Sequence, residues 1–307
     1  MSKLLKKGSR GLPVSTLQKM LKKILDNGMA IDGHFGLYTE RAVIQFQTLY
    51  NLTPDGLVGS QTMRKLEELY ADMIIKSVKN IADKFVVFVD AGHGGIDDNG
   101  YYKTSGKRAY HEALELHDSG WYYEGYENRI VAEMFITELA KCGIEGIRIY
   151  HPFEDTALWK RTDLVKAYLK RGFYGYLHSF HSNAISESNS INKLLNTTGF
   201  SCYTTTKSTL SDRIAEEHYR NIKEQFPKWH IRTEESDGDS DYEADFALLR
   251  NTDITDSNTF GAILEEFGFH TSQKDVRFIM SNREKRVKAA VKTALWTYGM
   301  MVYKVFL

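Results

Sequence analysis

The sequence predicts an α/β fold: a domain with a mostly parallel central sheet flanked by helices, preceded by a small three-helix domain. Three observations lead there. An unbroken apolar run, Phe85-Val86-Val87-Phe88-Val89, ends in the glycine-rich turn Asp90-Ala91-Gly92-His93-Gly94-Gly95, as a strand buried on both faces would. Further short runs rich in β-branched and aromatic residues alternate with longer stretches of helical period, the pattern of a parallel sheet joined by helical crossovers. The first seventy residues also carry an internal repeat of their own.

A first helix is expected over Val14 to Leu25. The segment Asp32-Gly33-His34-Phe35-Gly36-Leu37-Tyr38-Thr39 then recurs twenty-three residues later as Asp55-Gly56-Leu57-Val58-Gly59-Ser60-Gln61-Thr62. Each Asp-Gly pair supplies a tight turn. Each copy leads into a helical apolar pattern, Ala42, Val43 and Phe46 in one, Met63, Leu66 and Leu69 in the other. Tyr70 to Lys84 holds neither Pro nor Gly and continues that period through Met73, Ile74, Val78 and Ile81, so the connection reads as stiff and partly helical. The expected division is a helical domain over 1–70, a linker over 71–84 and an α/β domain over 85–307. Within the last, strands are expected near 85–90, 147–150, 174–180, 199–205, 246–250 and 261–265, with helices over 125–142, 157–171, 209–226 and 284–303. The apolar end, Ala294 to Leu307, is short and interrupted by Lys304, which suits a docked helix and argues against membrane insertion.

Composition excludes more than it selects. A chain of 307 residues, 42% hydrophobic and 26% charged, can build two ordinary cores. Forty basic residues balance forty acidic ones, which argues against a nucleic-acid partner. The basic residues among the first twenty-three read as a solvated helix face that could also approach an anionic wall. Cys142 and Cys202, in an apolar helix and a strand, read as buried free thiols. Glu234 to Asp245 holds seven acids and no base; Asp237, Asp239 and Asp241 alternate as in calcium loops, but glycine and terminal Glu are misplaced, so an acidic mobile loop is expected.

Candidate chemistry gathers where segments end. His93 sits on the glycine-rich turn after the first strand of the α/β domain, at the carboxyl end where α/β sheets open their ligand pockets. Glu124 precedes the amphipathic run Ile130, Val131, Met134, Phe135, Leu139; Glu127 competes with it. His181 closes the aromatic strand from Phe173 to Leu177 in Ser179-Phe180-His181-Ser182-Asn183-Ala184. Glu265 and Glu266 interrupt an apolar segment that ought to be core, where a carboxylate is costly unless paired or bound to metal. Two histidines and a carboxylate around an open position match a catalytic zinc site, and a second carboxylate can then serve as general base for amide hydrolysis. His111, His117, His178 and His270 read as structural. Arg250 could clamp a substrate carboxylate, steady Glu266 or form an ion pair.

These motifs carry a resemblance. From about Phe85 onward the chain is similar to the zinc-dependent N-acetylmuramoyl-L-alanine amidases, in Gly92-His93-Gly94-Gly95, in Glu124 with Asn128 four residues on, in Ser179-Phe180-His181-Ser182-Asn183-Ala184 and in Glu266-Phe267-Gly268-Phe269. Leu158 to Arg161 and Leu249-Arg250 resemble two further family elements. The resemblance implies that His93, Glu124 and His181 bind Zn2+ and that Glu266 is the catalytic base. The step to Asn128 favours Glu124 over Glu127, and the step to Gly268 favours Glu266 over Glu265. The interval from Gly95 to Glu124 is longer than the family pattern and rich in Tyr and Trp. It reads either as a flap beside the substrate groove or as a surface insertion with its own apolar cluster.

Residues 4–69 resemble the peptidoglycan-binding module, with its Asp-Gly turns and Phe46-Gln47. Together the two resemblances imply a peptidoglycan amidase. No secretion signal is visible, so a bacteriophage endolysin made in the host cytoplasm, acting at the bacterial wall as a monomer, is expected. The competing expectations are a zinc peptidase acting within the stem peptide and a catalytically silent wall-binding protein.

Overall fold

The computed structural model describes residues 4–112, 114–185, 197–206, 210–236, 238–252 and 259–303. The expected apolar positions Ile74, Val78 and Ile81, the acid Asp237 and the last four residues lie outside the described side chains. The chain divides into two compact units, Met1–Asp83 and Lys84–Leu307.

The first unit consists of α1 (Leu12–Leu25), α2 (Leu37–Leu49) and α3 (Ser60–Ala82), and α3 runs without interruption through most of the stretch read as linker. Its core is Val14, Leu17, Leu21, Phe35, Val43, Phe46, Val58 and Leu66. The repeat extends further than the Asp-Gly turns. Gln18 Nε2 donates to Asp32 Oδ1 at 2.7 Å while its Oε1 accepts from Gly33 N at 2.9 Å. Gln47 does the same in the second copy, to Asp55 Oδ1 at 2.9 Å and from Gly56 N at 2.9 Å. Each buried amide thus locks one turn, and its Nε2 also reaches Thr39 or Thr62 at the start of the next helix.

The second unit is built on a six-stranded sheet of order β4-β1-β5-β8-β6-β7, from β1 (Phe85–Ala91), β4 (Glu145–Arg148), β5 (Tyr174–Asn183), β6 (Phe200–Thr204), β7 (Tyr242–Glu243) and β8 (Phe260–Phe269). β4, β1, β5 and β8 are parallel neighbours; β6 runs antiparallel to β8 and β7 follows β6. A separate antiparallel pair, β2 (Arg108–Tyr110) and β3 (Trp121–Tyr123), lies in the long interval before α4 (Glu124–Lys141). The other helices are α5 (Leu158–Lys170), α6 (Leu210–Gln225), α7 (Ala247–Thr252), α8 (Gln273–Ser281) and α9 (Arg283–Tyr303).

Both faces of the sheet are covered, which is why β1 reads as a continuous apolar run. Phe85, Val87 and Val89 join one core with Phe135 of α4, Ile214 of α6 and Ala290 of α9; Val86 and Phe88 join another with Val165 of α5 and Leu248 of α7. Burying each such side chain contributes about 1.5–3 kcal/mol. The expected docked helix at the end is α9, with Ala294, Met301 and Val302 buried. Among the described residues no helix is long and apolar enough to cross a membrane.

Two expectations need correction, and one helix was missed. Residues 246–250 form no strand: Ala247-Leu248-Leu249-Arg250 opens α7, and its helix-favouring side chains decide a short apolar run whose periodicity alone is ambiguous. The helix α8, where Val276 and Ile279 give too short an apolar face to be read, was not expected. Both cysteines are free, but only Cys202 is buried; Cys142 is exposed where α4 ends.

Candidate metal centre and active site

The carboxyl ends of β1, β5 and β8 open onto a cleft of about 370 Å³. His93 leaves the end of β1 with φ at +65°, a left-handed conformation uncommon for a residue with a Cβ and of a kind found at functional turns. Arg129 of α4 braces that turn, donating from Nη2 to the carbonyl of His93 at 2.8 Å and from Nη1 to that of Gly125 at 2.7 Å. Gly92 is required by close approach: a Cβ there would lie 2.0 Å from the His181 ring.

His181 and Glu266 are direct partners across β5 and β8, so their side chains emerge side by side. The register then shifts between His181 and Asn183, a bulge of the kind that re-aims side chains at sites. Glu124 is the first residue of α4, its own amide donating to Lys107 O at 3.1 Å and that of Gly125 to Tyr102 Oη at 3.0 Å. The long aromatic interval therefore caps α4 and brings Lys107 to the cleft.

His93, Glu124 and His181 converge. Glu124 Oε1 lies 3.3 Å from His93 Nε2 and 3.1 Å from His181 Nδ1, and one ligand atom from each residue lies within 4.8 Å of the others. Glu124 Oε2 is buried with no hydrogen-bond partner, and His270 Nδ1 stands 3.8 Å from it. Burial opposes ionisation of Glu124, yet hydrogen bonds from His181 and His93 and the nearby His270 hold its carboxyl well below the usual range. Two neutral-capable imidazoles, one carboxylate and an unsatisfied buried oxygen suit a three-ligand zinc site with an open position.

Glu266 lines the same cleft with one oxygen, Oε2, buried and unpartnered. Burial first, and then the charge of Glu124, push its carboxyl well above the ordinary range; Lys107 and Arg286 pull the other way. The remaining wall is mixed: Leu158, Phe246, Leu248 and Leu264 are apolar, and Asp90, Asp155 and Arg161 form an ion-pair group in which Arg161 Nη1 meets Asp90 Oδ1 at 2.7 Å.

The competing acids go elsewhere. Glu127 is buried in a bidentate pair with Arg283, both bonds 2.6 Å, and meets His117 Nε2 at 2.9 Å. Glu265 points to the other face of β8, where Arg286 Nε donates to Oε1 at 2.6 Å and His218 Nε2 meets Oε2 at 2.6 Å. His178 stands 3.5 Å from the same oxygen. His111 bonds the carbonyl of His270 at 2.8 Å, and His270 bonds that of Ser182 at 2.8 Å. Arg250 pairs with Asp245 at 2.6 Å on the surface and is not among the cleft residues. Lys107 and Asp155 carried no readable signal of their cleft position, because the loops that deliver them have no periodicity; Arg161, on α5, was marked only through the resemblance of Leu158 to Arg161 to a family element. Of the aromatic interval, Tyr122 and Tyr123 are buried around His117, while Tyr101 and Tyr110 are exposed.

Comparison with known proteins adds the following. The family described as N-acetylmuramoyl-L-alanine amidase matches residues 87–296, and that described as putative peptidoglycan binding domain matches residues 10–66. A curated N-acetylmuramoyl-L-alanine amidase of Mycobacterium tuberculosis is 31% identical over 100 residues, 28% of this chain and 24% of that one. A zinc D-Ala-D-Ala carboxypeptidase of Streptomyces albus G is 40% identical over 70 residues, 22% of this chain and 28% of that one. The chain thus spans about a quarter of the length of these curated relatives. The crystal structure of an N-acetylmuramyl-L-alanine amidase from Mycobacterium smegmatis shares the fold, with a TM-score of 0.50 and 15% identity over 70% of this chain and 97% of that one. With well over half its length matched, the chain belongs to the N-acetylmuramoyl-L-alanine amidase family.

Proposed function

We propose that this protein hydrolyses the amide joining the lactyl group of N-acetylmuramic acid to L-alanine in peptidoglycan, with His93, Glu124 and His181 holding zinc and Glu266 acting as the base. The observation that carries the reading is the convergence of those three ligand atoms beside Glu266, whose Oε2 is buried and without a hydrogen-bond partner, in one cleft. When bound, zinc supplies the Lewis acidity that polarises the scissile carbonyl and acidifies water.

The chain's own residues do the rest. Glu266 takes the proton of the attacking water as the new C–O bond forms, then returns it to the L-alanine nitrogen as the C–N bond breaks. A carboxyl pushed above its ordinary range by burial and by the Glu124 charge holds a proton more readily than a free one, which suits a group that must both accept and donate it. The apolar wall of Leu158, Phe246 and Leu264 limits water, and the Lys107 ammonium at the rim offers a counter-charge to carboxylates of the stem peptide. The first unit, with its peptidoglycan-binding resemblance, would keep the catalytic unit on its insoluble substrate. The order of binding module before amidase supports, as the biological setting, lysis of a bacterial host by a bacteriophage.

Incubation of the pure protein with isolated peptidoglycan tests the chemistry. New L-alanine amino termini without new reducing sugar ends are expected, and their loss on chelation. Cleavage within the stem peptide would replace this reading with a peptidase, and wall binding without any product would mark a silent binding protein.

A further inference from the structure

A second set of ligand-type side chains lies at the β6–β7 edge of the sheet. Asp212 in the first turn of α6, together with Asp239 and Asp241 just before β7, places three carboxylate oxygens within 4.8 Å of one another. This is no scatter of surface acids. Asp241 is 1% exposed and Asp212 7%. Asp241 Oδ2 accepts a hydrogen bond from Thr204 Oγ1 of β6, but its Oδ1 is buried with no hydrogen-bond partner.

A buried carboxylate oxygen left unsatisfied is costly, and two further carboxylates beside it raise the cost. Burial, followed by the charges of Asp239 and Asp212, accordingly pushes the Asp241 carboxyl up to about 7. Either a proton or a cation relieves such a cluster. The donors are all hard oxygens, with no imidazole or thiol, which disfavours zinc and suits calcium or magnesium.

We propose that Asp212, Asp239 and Asp241 form a binding site for a hard divalent cation, calcium foremost, distinct from the histidine–glutamate cluster. An ion held there fastens the acidic segment before β7 to α6 and to the neighbourhood of Thr204 on β6. Ser240 already anchors the same segment, its amide donating to Glu216 Oε1 of α6 at 2.6 Å. β7 and then Phe246, Ala247 and Leu248 follow within a few residues, and these last three line the cleft. The cation would therefore brace one wall of the substrate groove without touching the chemistry.

The test is calcium titration of the zinc-loaded full chain by calorimetry, in buffer freed of divalent ions and at slightly alkaline pH, with magnesium as a parallel arm. A saturable site with one ion per chain and a calcium-dependent rise in Tm are expected. Asp241→Asn and Asp239→Asn should each weaken binding on the order of tenfold or more by removing a ligand charge, with zinc content unchanged. Asp239 is only half-buried, so Asp239→Asn carries the test should Asp241→Asn fail to fold. Absence of saturable binding of either ion, or unchanged affinity in the folded variants, would overturn the proposal and leave a shared proton as the cluster's counter-charge.

Discussion

Glu265 and Glu266 are adjacent on β8, the first fully buried and the second half-buried at the cleft, yet their surroundings drive them in opposite directions. Burial would raise either carboxyl. Glu265 is nevertheless held well below the ordinary range by Arg286, His178 and His218, whereas Glu266, facing the Glu124 charge with one oxygen unpartnered, is pushed well above it. Strand alternation sends one acid into a closed ion-pair network under the sheet and the other into the open cleft. The lesson is that burial alone does not mark a reactive acid; the partners decide. The network also touches the site from below, since Arg286 Nη2 donates to the carbonyl of His181 at 3.0 Å.

The largest expected effect comes from breaking the closed side. Arg286→Met leaves Glu265 buried without its cation and should cost about 3–5 kcal/mol in urea unfolding. Adding Glu265→Leu should recover most of that loss, because removing both charges leaves neither stranded. Failure of the double variant to recover would assign the network a role beyond mutual neutralisation.

A somewhat smaller effect is expected with pH. Burial holds His178 down at about 4, against an ordinary value of 6.5. Between those values the unfolded chain binds a proton that the native chain does not, so stability falls as pH drops through this window, by about 3 kcal/mol at full extent. His178→Leu should flatten that limb of the stability profile relative to the parent. An unchanged limb would mean that the Glu265 charge keeps the imidazole protonated.

The smallest stability effect belongs to the open side. Glu266→Gln removes an acid that makes no ion pair, so unfolding free energy should stay within about 1 kcal/mol of the parent. A large loss would place Glu266 in the structural class with Glu265.

Much of this contrast was readable in the sequence. Phe85 to Ala91, Tyr174 to Leu177 and the segment around Glu265 and Glu266 lie on buried strands whose period and composition announce them, and their ends deliver His93, His181 and Glu266. Glu124 was legible through its place ahead of a helix and its step to Asn128, but what separates it from Glu127 is an ion pair with Arg283, 156 residues away, which no local pattern reveals. The same holds for Glu265, whose partners come from β5, α6 and α9. Phe246 to Arg250 was misread because five residues are too few to separate a buried strand from a buried helical turn. Lys107 reaches the cleft on an irregular segment, where side-chain direction has no sequence period. The acidic run from Glu234 to Asp245 read as a mobile loop because Asp212, which meets Asp239 and Asp241 of that run, lies in a separate helix.

The central claim is that Glu266 performs proton transfer while His93, Glu124 and His181 hold the metal. Zinc content and peptidoglycan turnover, measured together on Glu266→Gln, test it most directly. The account predicts one zinc per chain, as in the parent, with turnover reduced by about 10²–10⁴-fold. A variant that keeps its zinc and cleaves peptidoglycan at the parental rate would contradict it.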